Sequence, residues 1–296
     1  MYTEQQIKEQ RKAKIISKII TYSFLTIMAL VILIPFYWMI ITSLKSAVEI
    51  EQFPPTLFPR QIVAYNYVEA LERANLLRYF ANTLIVSGFS TLFGTFFSIF
   101  VAYALSRLQF KGKEIIFTIL LATMMIPGEM MVITNYITVS NFGWVDSGFG
   151  SRVTNGPYYA MIFPFMISIF HIYLLRQTFK QVPNELYYAA KVDGTSDWKY
   201  LWKVMVPLAK PSIITIIILK LMGAWNSYIW PNLVASENYR LITNGLRAAF
   251  SNSDTGRTEF QLQMAATVMV TLPLFIVFIF FRKYIMRGVS RSGIKG

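Results

Sequence analysis

The chain has 296 residues, 55% of them hydrophobic and only 15% charged, against about 25% charged in soluble domains, which excludes an ordinary soluble globule. Its formal net charge of +13 would suggest nucleic acid in a soluble protein, but in a membrane protein Lys and Arg collect on the cytoplasmic side. With no cysteine and a single histidine, disulfides, thiolate metal sites and multi-histidine metal sites within the chain are excluded, and no cofactor is expected.

The first 18 residues are polar and basic. The apolar run that follows has no small-residue cleavage site, so it reads as a retained span and not a removed signal peptide. Six segments qualify as spans: about 19–42, 79–105, 115–139, 158–175, 211–233 and 264–281. Each is long enough to cross ~30 Å of hydrocarbon at 1.5 Å rise per residue. They are too long for barrel strands, so the fold class is an all-α membrane protein with six transmembrane helices. Pro127 and Gly128 predict a break inside the third span, with Glu129 either wetted at the outer interface or placed at the mouth of a pathway.

The flanks set the orientation. Residues 1–18, 106–114, 176–210 and 282–296 hold 19 of the 28 Lys and Arg; the loops at 43–78, 128–157 and 234–263 hold 8. The first set is therefore cytoplasmic, and so are both termini. Residues 1–18 and 282–296 are read as cytoplasmic segments on either side of a permease domain at 19–281. No internal repeat is evident, which gives an inverted-repeat transporter little support.

Between the fourth and fifth spans lies VPNELYYAAKVDGTSDWKYLWKVMVPLAKP, residues 182–211. Pro183 suits a first helical position, Glu185 favours the helix dipole, and Gly194 suits a left-handed end. Thr195 or Ser196 can cap a second helix, in which Trp198, Leu201, Trp202 and Met205 form one apolar face that Pro207 stops. The first helix, with Leu186, Ala189 and Ala190 near one face, suits close docking of another protein. The second could equally rest on lipid headgroups through its tryptophans.

This segment resembles the cytoplasmic EAA loop of binding-protein-dependent ABC importer permeases. Pro183, Glu185, Leu186, Ala189, Ala190, Asp193, Gly194, Pro207 and Pro211 match, while Tyr188 stands where the family has the glutamate of EAA. Tyrosine cannot make that residue's ion pair, though its hydroxyl can hydrogen-bond. PFYWMIITSLK, AYALSRLQFKGK, AWNSYIWP and RGVSRSGIKG are similar to the sugar-importer branch, specifically the second permease of maltose- and raffinose-type systems. The resemblance implies a non-catalytic subunit of an ATP-driven importer in a prokaryotic cell membrane. Its partners would be a second permease, two ATPase subunits, an extracellular sugar-binding protein, a sugar substrate and lipid, with no nucleic acid. Glu185, Leu186, Tyr188, Ala189, Ala190, Asp193 and Gly194 would form the coupling helix that docks on the ATPase. The absence of a G-x-x-x-x-G-K-[ST] loop fits this division of labour.

Lys220 is the only Lys or Arg well inside a predicted span. It must either pair with another span or a carbonyl, or line a wet cavity. Trp225, Asn226 and Tyr228 follow it and suit sugar passage, or else an interfacial aromatic belt, which fits Trp230 better. His171 is expected to pack between helices with one hydrogen bond. The outer loop at 235–261 is long and polar; by resemblance, Asn244, Arg247 and Asn252 would reach toward the binding protein. Glycerol 3-phosphate importers are similar in the same regions and give the alternative substrate. A stand-alone secondary transporter would need coupling-ion carboxylates inside the spans, and none is seen; a membrane receptor or scaffold would need no docking loop.

Overall fold

The structure, a computed structural model, describes residues 4–146, 148–250 and 258–290. Among the described residues its regular elements are helices, as the apolar runs require. Three helices among these residues are long and apolar enough to cross a membrane: Arg11–Ser43 within α1 (Glu4–Ser43), α3 (Leu76–Ser106), and Phe260–Lys283 within α13 (Phe260–Ser290). Between α1 and α3 runs the short α2 (Tyr65–Arg73).

Three further stretches pass the same test only as bent pairs. α4 (Lys113–Thr123) turns by 85° into the stretch Gly128–Asn141, which ends in α5 (Val132–Asn141). α6 (Gly156–Phe165) turns by 43° into α7 (Ile169–Lys180). Past α8 (Asn184–Val192), α9 (Asp197–Leu208) turns by 80° into α10 (Lys210–Trp225). If each pair is one span the total is six, but the third pair joins the expected cytoplasmic helix to the fifth span. Each bend has a local cause. Pro127 and Gly128 break the first pair, Pro164 lies beside the second break, and Pro207 and Pro211 bracket the third. The expected interruption at Pro127–Gly128 is present, and Glu129 there is exposed.

The fifth span is shorter than expected. α10 ends at Trp225, the chain breaks over residues 226–228, and α11 (Ile229–Val234) follows. The outer segment is also no plain loop. Ile242 and Leu246 lie on one face of the amphipathic α12 (Ile242–Ala249), which packs this face beside α3.

The described residues fall into two compact units, one within Met1–Ala70 and Phe250–Met269, the other within Leu71–Ala249 and Val270–Gly296. In the first, α1 is apolar and exposed along most of its length, from Ile15 to Ile40, as a lipid-facing helix would be. Its C-terminal end is tied to the following segment by Asn66, whose Nδ2 donates to the carbonyls of Ser43 and Lys45 at 2.9 and 2.8 Å. Glu49 accepts from Thr56 Oγ1 at 2.7 Å and from the Arg60 amide.

In the second unit α3 is the central element, packed mainly against α7 and α10. Its inward face is small and hydroxylated, with Ser87, Ser90, Thr91, Gly94, Thr95 and Ser98 buried. Such faces let helix backbones approach closely in a membrane. One apolar core joins Ile99, Ala102 and Tyr103 of α3 to α7, α9 and α10 through Leu175, Phe179, Tyr200, Leu201, Met205 and Ile216. Another gathers Val86, Ala160, Met161, Trp230 and Leu241 toward the opposite end of α3.

Candidate functional site: a braced helix and a cationic cavity

Two places in the second unit carry the candidate residues. The first is α8. Glu185 sits in its first turn, and among the described residues none of its side chains is fully buried. The helix ends as its sequence requires. Gly194 has φ +70°, the amide of Thr195 reaches back to the Ala190 carbonyl at 2.8 Å, and that of Gly194 to Lys191 at 3.0 Å. This is a Schellman end, which only a residue without Cβ adopts at little cost. Ser196 then caps α9 by accepting from the Lys199 amide.

α9 departs from the expected pattern. It does not stop at Pro207 but runs to Leu208, through a wide π turn over Leu201–Met205. The proline ring would collide with the carbonyl four residues back in a regular helix, and the wide turn lies directly before it. The altered winding buries Tyr200, Leu201 and Met205 and leaves Trp198 61% exposed, stacked on Phe100 at 5.5 Å.

The small face of α8 also differs from expectation. Ala189 is exposed, but Ala190 is half-buried and packs on the chain's own core. The outward surface is instead Leu186, Tyr188 and Val192, with Val192 88% exposed, alongside the exposed Glu185, Ala189 and Asp193.

What holds α8 in place was not visible in its own motif. Asp197 Oδ1 accepts from the hydroxyls of Tyr187 at 2.8 Å and Tyr103 at 3.0 Å, and Oδ2 pairs with Lys191 at 2.8 Å. Burial raises the Asp197 pKa, but the bonds from Lys191, Tyr187 and Tyr103 outweigh it and hold the carboxyl below its usual range. The bond that Lys191 donates to Asp197 raises the Lys191 pKa in turn. At the start of α8, the buried Arg107 donates to Asn184 and to the Val182 carbonyl. Arg176, also buried, donates to the Leu105 carbonyl at 3.0 Å and pairs with Glu114 at 2.7 Å. Two carboxylates and two arginines thus hold this end together: Arg176 and Glu114 join α3, α4 and α7, while Arg107 and Asp197 fix α8 to them.

The second place is a cavity of about 230 Å³ bounded by α3, α6, α7, α10 and α11. Lys220 lines it from α10. Its Nζ donates to the carbonyls of Phe165 and Met166, both at 3.1 Å, which the break between α6 and α7 leaves without helical partners. Gly94 makes room for it: a Cβ there would come within 2.0 Å of Lys220 Cε and 2.5 Å of the Met166 carbonyl oxygen. Lys220 therefore meets both expectations at once, bonded to carbonyls and facing a cavity.

The other predicted path residues are placed elsewhere. Trp225 is buried beside Tyr79, Phe80 and Ile242, because α10 ends at this residue and turns its ring into that core. Asn226 is exposed and folds back on the Met222 carbonyl at 2.9 Å, which satisfies its amide without a cavity. Tyr228 precedes α11, and its carbonyl accepts from Asn244 Nδ2 at 2.9 Å. Asn244 is buried inside α12, so its side chain does not reach outward. The Arg247 side chain and Asn252 lie outside the described residues. Trp230 is no belt residue: it is buried, donates to the Ala160 carbonyl at 3.0 Å and lines the cavity. The cavity also draws on Ser90, Ser168, His171 and Ser227. His171 is buried between helices as expected, but its Nδ1 lacks the expected hydrogen bond. Nothing local in the sequence marks these residues; only the helix packing brings them together.

Residues 94–291 match the family described as binding-protein-dependent transport system inner membrane components. The chain belongs to this family. It is similar to the melibiose/raffinose/stachyose import permease of Bacillus subtilis, 31% identical, covering 89% of this chain and 91% of that protein. It is also similar to the polygalacturonan/rhamnogalacturonan transport permease of the same organism, 28% identical over 93% and 96% of the two chains. Among solved structures it matches a bacterial ABC transporter involved in import of the acidic polysaccharide alginate. That match has TM-score 0.79 and 25% identity, covering 96% of this chain and 99% of that one. As a member of the family the chain is a membrane-embedded transport permease.

Proposed function

We propose that this chain is the second of two homologous permeases in an ATP-driven importer of di- or oligosaccharides, with both termini cytoplasmic. Two ATPase subunits hydrolyse ATP, and an extracellular binding protein delivers the sugar. The permease domain spans residues 19–281. The observation that carries this reading is the build of α8: an outward face of Leu186, Tyr188, Ala189 and Val192, over a base fixed by Asp197 and Arg107. A helix free on one side and braced on the other can receive a push and pass it to α3 and α7. Alternating access then follows from rocking of α3, α7 and α10 around the cavity. The sugar class is supported by the named substrates of the similar permeases.

The test is purification of the chain from membranes through a tag. A nucleotide-binding subunit should copurify, and the reconstituted complex should hydrolyse ATP faster when the binding protein and its sugar are present. Purification without any such subunit would overturn the reading.

A further inference from the structure

Resting on that reading, we infer that the cavity at Lys220 selects a negatively charged group on the substrate, carried as a carboxylate on a sugar ring or as a phosphate ester. The argument is one of uncompensated charge. Lys220 is 8% exposed, and its hydrogen bonds go to the carbonyls of Phe165 and Met166. Carbonyl dipoles stabilise an ammonium but do not cancel its charge. None of the residues lining the cavity is Asp or Glu. A buried charge is costly unless paired, and among the described residues the open space beside this one is the cavity.

The remaining polar groups fit an anion with hydroxyls beside it. An ammonium has three donors, of which two are engaged. His171, 9% exposed, lines the same cavity with an unpartnered Nδ1. Ser90, Ser168 and Ser227 add hydroxyls, and Trp230 with Phe165 supplies an aromatic wall. At about 230 Å³ the space falls below the ~300–1,000 Å³ of pockets that enclose whole drug-sized ligands. It suits one ring or one headgroup, passed along in turn.

The absence of cysteine allows a direct test of the sign of the field. Ser227→Cys is made in the assembled complex. Its alkylation is timed with sulfonatoethyl and trimethylammonioethyl methanethiosulfonate, each normalised to its rate with a free thiol. The anionic reagent should react faster by about tenfold or more, as expected for a unit charge within a few ångströms in a partly dry cavity. Lys220→Gln, which keeps an amide donor for the two carbonyls but removes the charge, should abolish the preference. Equal rates, a faster cationic reagent, no reaction with either, or a preference unchanged by Lys220→Gln would each overturn the inference.

Protection of the same cysteine then separates the sources. Digalacturonate protecting better than galactobiose identifies a carboxylate; glycerol 3-phosphate protecting better than glycerol identifies a phosphate. Equal protection by charged and neutral members of both pairs, or none by any, overturns the inference. ATPase copurification is scored in the same preparation. Absence of the reagent preference in Ser227→Cys with Lys220 intact and the ATPase still bound refutes only the charge selection; the preference present without any ATPase refutes only the importer assignment.

Discussion

Asp197→Ala should loosen α8 without unfolding the rest of the chain. The carboxylate accepts from two tyrosine hydroxyls and one ammonium. The Lys191 pair is 38% and 40% exposed on its two sides, and exposed pairs of this kind contribute little. The tyrosines decide the magnitude. Tyr103 is only 5% exposed, so removal of its acceptor leaves a buried hydroxyl unmet, at about 1–3 kcal/mol. Tyr187 is half-buried and loses about 0.5–1.5 kcal/mol. With 40% of the Asp197 side chain exposed, water takes over part of this, and a net loss of about 2–3 kcal/mol is expected. If α8 opens locally, that loss corresponds to roughly 30- to 150-fold faster hydrogen exchange at the amides of residues 184–192. Asp197→Asn keeps an acceptor for the tyrosines and should show a smaller acceleration. In the reconstituted complex, substrate-stimulated ATP hydrolysis should fall toward the basal rate for Asp197→Ala. Unchanged exchange in α8, or Asn behaving as badly as Ala, would refute the brace.

Gly94→Ala forces the Lys220 side chain off the Phe165 and Met166 carbonyls, since the new methyl would sit 2.0 Å from its Cε; overpacking of this kind costs about 1–3 kcal/mol, read as a drop in melting temperature of the purified complex. Gly194→Val places a β-branched residue at φ +70° and should release the ATPase on purification while membrane insertion is kept. Ala190→Trp should destabilise the chain itself, because Ala190 packs on its own core; loss of ATPase binding with an unchanged melting temperature would contradict this. The pH dependence of α8 protection follows from the shifts. The Asp197 contribution is complete above the ordinary value of 3.8 and is lost as pH falls through its lowered folded value. The Lys191 contribution is complete below 10.5 and is lost as pH rises through its raised folded value. Exchange in α8, corrected for its intrinsic rate, should therefore be flat through neutral pH.

The apolar runs and the Pro127–Gly128 pair made the helical spans and one break legible, because membrane thickness and proline stereochemistry act locally; Pro207 misled, since a wide turn lets α9 run past it. The Gly194 turn was equally readable. The inward rotation of Ala190 was not, because it depends on which side of α8 meets the core that gathers α3, α7, α9 and α10. Lys220 stood out as a lone charge in an apolar run, but its partners Phe165 and Met166 lie more than 50 residues away and are backbone atoms, which no side-chain pattern reveals. Asn244 misled for the opposite reason. It is a polar residue in a polar stretch, yet Ile242 and Leu246 pack that stretch as a helix against α3 and bury Asn244.

The Schellman end at Gly194 and the Asp197 brace have a kinetic consequence. The outward face of α8 is already ordered before any partner arrives, so binding there incurs little conformational entropy loss and can proceed as the docking of rigid bodies. In the proposed joint Leu186, Tyr188 and Val192 would make much of the contact apolar and so little screened by salt, with Glu185 and Asp193 exposed beside them. A subunit held in this way should survive high-salt washing of membranes and come away in the cold or in mild chaotrope, the reverse of what an ion-paired joint would do.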